Sequence, residues 1–127
     1  MVVIHADQVE GWWSPPPHQR KLKVLLSPAL QDVSNNVSIG MVVLPPGSSG
    51  DPHIHEGSQE TWYVVSGKGK LRIGSEEIEL VPDTVVVAPQ GIEHQIFGDN
   101  QETLKAIFIF SPAGPEEDLL HMQRSDS

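Results

Sequence analysis

Residues 47–67 read GSSGDPHIHEGSQETWYVVSG, and both the fold and the chemistry of the chain turn on how this stretch lies. His53 and His55 are two positions apart, so on an extended strand their imidazoles project from one face. The polar segment Glu56-Gly57-Ser58-Gln59 can reverse or bulge the chain and bring the Glu60 carboxylate round to meet them. A further imidazole, His94, follows in PQGIEHQIFG, beside a turn and entering an apolar run. Three neutral imidazoles and one carboxylate form a nitrogen-rich donor set suited to a divalent first-row transition metal: Fe, Mn, Ni, Co, Zn or Cu.

These two stretches carry a family resemblance. Gly47, five residues, His53-x-His55, four residues, Glu60, six residues and Gly67 fit the first motif of the cupin superfamily position by position. Pro89-x-Gly91-x-x-His94 is similar to the second motif, with Asp83 where the family opens on glycine and Gly98 where it closes on asparagine. Neither departure falls on a metal ligand. Asp tolerates a left-handed turn conformation, so Asp83 is a mild replacement. The resemblance, of the small single-domain type, implies an antiparallel β-barrel or jelly roll with His53, His55, Glu60 and His94 around a metal. It also implies a homodimer.

Length and composition agree with a single domain. A chain of 127 residues can bury one core and is too short for two. Without cysteine there is neither a disulfide nor a thiolate ligand. The opening MVVIHADQVEGWW lacks a basic segment followed by a long apolar core, and no run approaches a membrane span, so the expected location is the cytoplasm. Eight Lys and Arg against 17 Asp and Glu give a formal charge of −9, which opposes nucleic acid and anionic membranes.

Taken in order, residues 1–20 form an N-terminal arm, because Pro15-Pro16-Pro17 offers no amide hydrogens and favours an extended path. Trp12 and Trp13 must pack on something, either a second subunit or the same barrel. His5 and His18 lack ligand-like spacing. The barrel domain spans 21–114 and contains eight short Val- and Ile-rich runs: LKVLLS, VSIGMVVL, TWYVVSG, GKLRIG, EIELV, TVVVAP, HQIFG and TLKAIFIFS. Gly67-Lys68-Gly69 and Gly74-Ser75 read as hairpin turns. The tail, 115–127, contains PEEDLLHMQ, which reads as a short helix with Pro115 in its first turn and acids at its positive end. His121 lies on that helix as a surface residue.

Alternation assigns the faces. With Glu60 inward, Trp62 and Val64 follow, while Tyr63 and Val65 turn away. With His94 inward, Ile92 and Ile96 accompany it, and Glu93 and Gln95 point outward. Leu104, Ala106, Phe108 and Phe110 form an inner wall, and Ile39, Met41 and Val43 are taken as the inner face of their strand. The predicted pocket is therefore lined by Met41, Trp62, Ile96 and Phe108 around a polar centre. Four protein ligands leave two adjacent positions on an octahedral ion. The chemistry this allows is that of a metal-dependent enzyme on a small organic molecule, either a dioxygenase-like oxygenase or a Lewis-acid isomerase or decarboxylase. A non-catalytic small-molecule-binding or regulatory barrel, and a barrel merely stiffened by its ion, are the alternatives. No general acid or base is evident from spacing.

Overall fold

A computed structural model describes residues 1–125, so the final two residues of the tail segment lie outside the described residues. The described residues form nine strands and one α-helix, preceded by a single 3-10 turn at Ala6–Gln8: β1 Trp12–Trp13, β2 Lys21–Leu26, β3 Ser38–Leu44, β4 Gln59–Ser66, β5 Gly69–Ile73, β6 Glu76–Leu80, β7 Val85–Ala88, β8 His94–Gly98, β9 Leu104–Ser111 and α1 Glu116–Ser125. The strands make two antiparallel sheets, one in the order β1-β2-β3-β9-β4-β7 and the other β6-β5-β8. This is the antiparallel jelly roll expected from the strand pattern, with one short C-terminal helix.

The inner faces meet over an apolar core. Leu44, Val64, Leu71, Leu104 and Ala106 are fully buried, and Trp62, Phe108 and Phe110 extend the core towards the open end. Each buried leucine contributes roughly 1.5–3 kcal/mol by leaving water. Strand periodicity explains why these positions were chosen: β9 alternates buried and partly exposed residues along its whole length.

One of the two expected hairpin turns has another role. Gly74-Ser75 does close the β5–β6 hairpin, since Ile73 pairs with Glu76. Gly67-Lys68 instead carries the chain from one sheet to the other, because β4 and β5 do not pair. Gly67 has φ +80° and lies so close to Thr103 that a Cβ would sit 1.8 Å from its carbonyl oxygen, so no other residue fits. Asp83 adopts φ 63°, the left-handed conformation that its motif position asks for, and the Tyr63 hydroxyl donates to its carboxylate.

The facing of β3 corrects the expectation for Met41. The buried residues of β3 are Ser38, Gly40, Val42 and Leu44, while Ile39, Met41 and Val43 face outward. The reason lies across the strand pair. Gly40 stands opposite Phe108 and leaves room for its ring, since a Cβ there would be 2.1 Å from Phe108 Cζ. Directly opposed residues share a face, so an inward Phe108 fixes an inward Gly40 and an outward Met41. Both faces of β3 are apolar, so hydrophobicity alone did not set its phase. Ile92 also departs from expectation: it precedes β8, sits in a turn and is 39% exposed.

The arm is part of the sheet. β1 pairs with β2, Trp12 enters the core of its own chain, and Trp13 remains half exposed. At the other end, α1 is pinned by Glu116, whose buried carboxylate accepts from Ser27 Oγ at 2.6 Å, Ser38 Oγ at 2.8 Å and the Gly114 amide at 2.7 Å. No helix among the described residues is long and apolar enough to cross a membrane.

Candidate metal centre

Three structural elements converge on one point. His53 and His55 come from the extended segment before β4, Glu60 from the start of β4 and His94 from the start of β8. A bridge between His53 and His94, with amide-to-carbonyl bonds of 3.0 Å in both directions, ties the first ligand segment to the second sheet. One ligand atom from each of the four residues lies within 4.8 Å of the others. His94 Nε2 is 2.9 Å from Glu60 Oε1 and 3.0 Å from His53 Nε2, and His55 Nε2 is 3.2 Å from the same carboxylate oxygen. Glu60 and His94 are buried, and His53 and His55 partly so.

Hydrogen bonding at the far ring nitrogens decides what this cluster needs. His53 Nδ1 faces the Asp51 carbonyl at 2.9 Å, and His94 Nδ1 faces the Ile92 carbonyl at 3.3 Å. A carbonyl only accepts, so a neutral ring that keeps its proton on Nδ1 to meet it presents the Nε2 lone pair to the cluster. In that tautomer two Nε2 lone pairs and a carboxylate oxygen converge on one point. Lone pairs held that close call for a cation, and the donor set of three imidazoles and one carboxylate could hold a divalent transition ion. When no cation is bound, protons on the facing nitrogens of His53, His55 and His94 take its place: burial alone would raise the Glu60 pKa, yet hydrogen bonds from those rings outweigh it and hold the carboxyl well below the usual carboxylate range. The ligand stays ionised.

The site opens into a cavity of about 220 Å³. Trp62, Ile96 and Phe108 line it, together with Leu22, Val42 and Phe110. Val42 occupies the wall position that alternation had given to Met41. The Trp62 ring meets His94 edge-on at 5.1 Å and Phe110 meets His55 at 5.0 Å, so the aromatic walls also fix two of the ligands. Tyr63, Glu93 and Gln95 point away from the cavity as expected, with Glu93 and Gln95 engaged by Arg72. His18 bonds Ser49 Oγ at 3.2 Å and is not part of the cluster, and His121 is exposed.

Two contributors were missed from the sequence. Pro115 and one face of α1, through Asp118, Leu119 and Met122, line part of the cavity. That face was visible in the helical spacing, but nothing said where the helix would dock. The other is Arg20, a buried cation on the cavity wall. Its signal was its phase, because Arg20, Leu22 and Val24 alternate together and the two apolar members face inward.

Similarity to known proteins agrees with this architecture. The chain is 27% identical over 109 residues to the tetracenomycin polyketide synthase protein TcmJ of Streptomyces glaucescens, covering 84% of this chain and 72% of that protein. It is 33% identical over 63 residues to an acireductone dioxygenase of Emericella nidulans, which spans 46% of this chain and 35% of that protein. Among solved structures, the polyketide cyclase RemF from Streptomyces resistomycificus superposes with a TM-score of 0.76 at 19% identity, over 91% of this chain and 82% of that one. Residues 40–110, which contain all four ligand-bearing positions, match the Cupin domain family, and the chain belongs to it.

Proposed function

We propose that this protein is a metal-dependent enzyme that acts on a small enolisable carbonyl compound, of the kind found in short polyketones. The observation that carries the reading is the convergence of three imidazole nitrogens and the Glu60 carboxylate within 4.8 Å of one another on the wall of an apolar cavity. A divalent ion held there supplies Lewis acidity towards a carbonyl oxygen and so makes the adjacent C–H more acidic. The chain's own groups do the rest. Trp62, Phe108 and Phe110 exclude water and favour a flat substrate against their rings. Glu60, kept anionic, offsets part of the ion's charge. Asp51 and Asp118 at the rim are the carboxylates within reach of the cavity that the ligand cluster leaves uncommitted, and a proton leaving the substrate would pass to one of them or to water.

The likeness to TcmJ, a polyketide synthase protein, favours a polyketone as the substrate, and isomerisation or cyclisation is the reaction that Lewis acidity at its carbonyl would support. A second reading, dioxygenation of the same kind of enol, is favoured by the stretch shared with the acireductone dioxygenase. Protein purified without added metal should retain a transition ion by elemental analysis, and His53→Ala together with His94→Ala should abolish uptake while leaving the fold intact by circular dichroism. Metal content unchanged in the double variant would refute the assignment. With the loaded protein and a panel of 3-oxo acids and diketones, dioxygen uptake would select the second reading, and product formation under argon the first.

A further inference from the structure

Arg20 is the one Lys or Arg among the described residues lining the cavity, and it is only 7% exposed. It is held rigidly. Nη1 donates to Ser14 Oγ at 3.2 Å and to the His18 carbonyl at 3.0 Å, and Nη2 donates to Asp51 Oδ1 at 3.0 Å. The Ser14 hydroxyl also accepts from the Arg20 amide at 2.9 Å, so residues 14–20 close into a loop around this side chain. A guanidinium has five N–H hydrogens, and these three bonds leave the Nε hydrogen and one on Nη2 without a protein acceptor.

Its charge is also under-compensated. Burial pulls the Arg20 pKa down from its ordinary value, and Asp51 and then Glu60 offset this only in part. Asp51 sits half in water, with its side chain 52% exposed, and Asp118 is exposed at the rim, so both are screened. Glu60 is committed to the imidazoles. A buried, pre-oriented guanidinium with spare donors beside an open apolar cavity is built for a planar oxyanion.

We propose that Arg20 is the anion-binding wall of this cavity, and that the substrate carries a carboxylate, or an oxyanion of the same planar shape, held by Arg20 while a second oxygen reaches the metal centre. This rests on the metal-dependent reading above and narrows its substrate class to keto acids and their relatives. Arg20 then sets which end of the substrate lies over the ligand cluster.

The test is calorimetric titration of the zinc-loaded full-length protein with benzoate and with benzamide, which match in size and differ in charge. Benzoate should bind at least tenfold more weakly to Arg20→Gln than to the wild type, with Arg20→Lys in between because an ammonium keeps the charge and loses the fork. Benzamide should bind all three proteins with the same weak affinity, and zinc content should be equal. Equal benzoate affinity in the wild type and Arg20→Gln would overturn the proposal. So would loss of zinc from both variants, which would make Arg20 a brace that aims His53 through Asp51. If the wild type itself retains no zinc, the metal reading fails separately. The anion site then stands only if the metal-free wild type still holds benzoate tenfold more tightly than Arg20→Gln.

Discussion

Glu116 shows what one side chain contributes at a distance from the ligand cluster. Its carboxylate is buried at the start of α1 and satisfied by two hydroxyls and an amide. Burial by itself would raise its pKa, but the hydrogen bonds from Ser27, Gly114 and Ser38 prevail and hold it below the ordinary carboxyl value of 4.5. A depressed folded-state pKa stabilises the protein above the unfolded value, and that contribution is lost as pH falls through the folded one. Glu116→Gln should therefore cost about 2–3 kcal/mol at neutral pH, the loss of one charged acceptor shared by several donors. Urea midpoints should show the full gap between wild type and variant at pH 7 and a narrowing gap below pH 4.5. A gap independent of pH would mean that the charge plays no part. That His53, His55 and Glu60 would lie together was legible because two strand-adjacent histidines and a turn leave few alternatives, and the resemblance of the second motif joined His94 to them. Glu116 was not legible, because its partners Ser27 and Ser38 are 89 and 78 positions away.

At the scale of elements, β3 marks the boundary of what alternation reveals. β4, β8 and β9 each contain a residue that announces its side: Glu60 and His94 as ligands, and Lys105 as an outward charge. β3 has none, so its phase came only from the partner strand, where Gly40 faces Phe108. Gly40→Ala tests that account. The new methyl would overlap the Phe108 ring and lie 2.8 Å from the Lys23 carbonyl, which is backbone and cannot move aside cheaply. The expected cost is about 1–3 kcal/mol in chemical denaturation, the range for overpacking a filled core. Because Phe108 lines the cavity, benzoate affinity should fall as well. Pairing the substitution with Phe108→Leu should recover part of the stability, and an additive pair would argue that the two residues do not share this space.

Over the whole molecule, the outward face of the six-stranded sheet stands apart from the rest of the surface. One row across it runs Lys23, Met41, Ile107, Tyr63 and Val85, and the next runs Ile39, Ile109, Thr61 and Val87. Tyr63, Val65, Val85 and Val87 are exposed, and β7 is the sheet's unpaired edge. The chain has 17 acidic residues, yet the outward positions of β2, β3, β4, β7 and β9 contain none, only apolar or neutral side chains and lysines. For a molecule of net charge −9, this is a face on which two copies can meet without opposing their like charges. An apolar sheet with an open edge strand is costly to leave in water. We propose that a second copy covers it about a two-fold axis, with the half-exposed Trp13 outside the contact and the N-terminal arm folded on its own barrel. Sedimentation velocity should then report a dimer, and Val85→Glu with Val87→Glu should give a folded monomer, since acids there would face their own symmetry mates. Wild-type protein that sediments as a monomer, or a double variant that remains dimeric, would move the interface elsewhere. The ligand cluster opens at the end of the two sheets rather than on this outer face, so the monomeric variant should keep its metal and its affinity for benzoate.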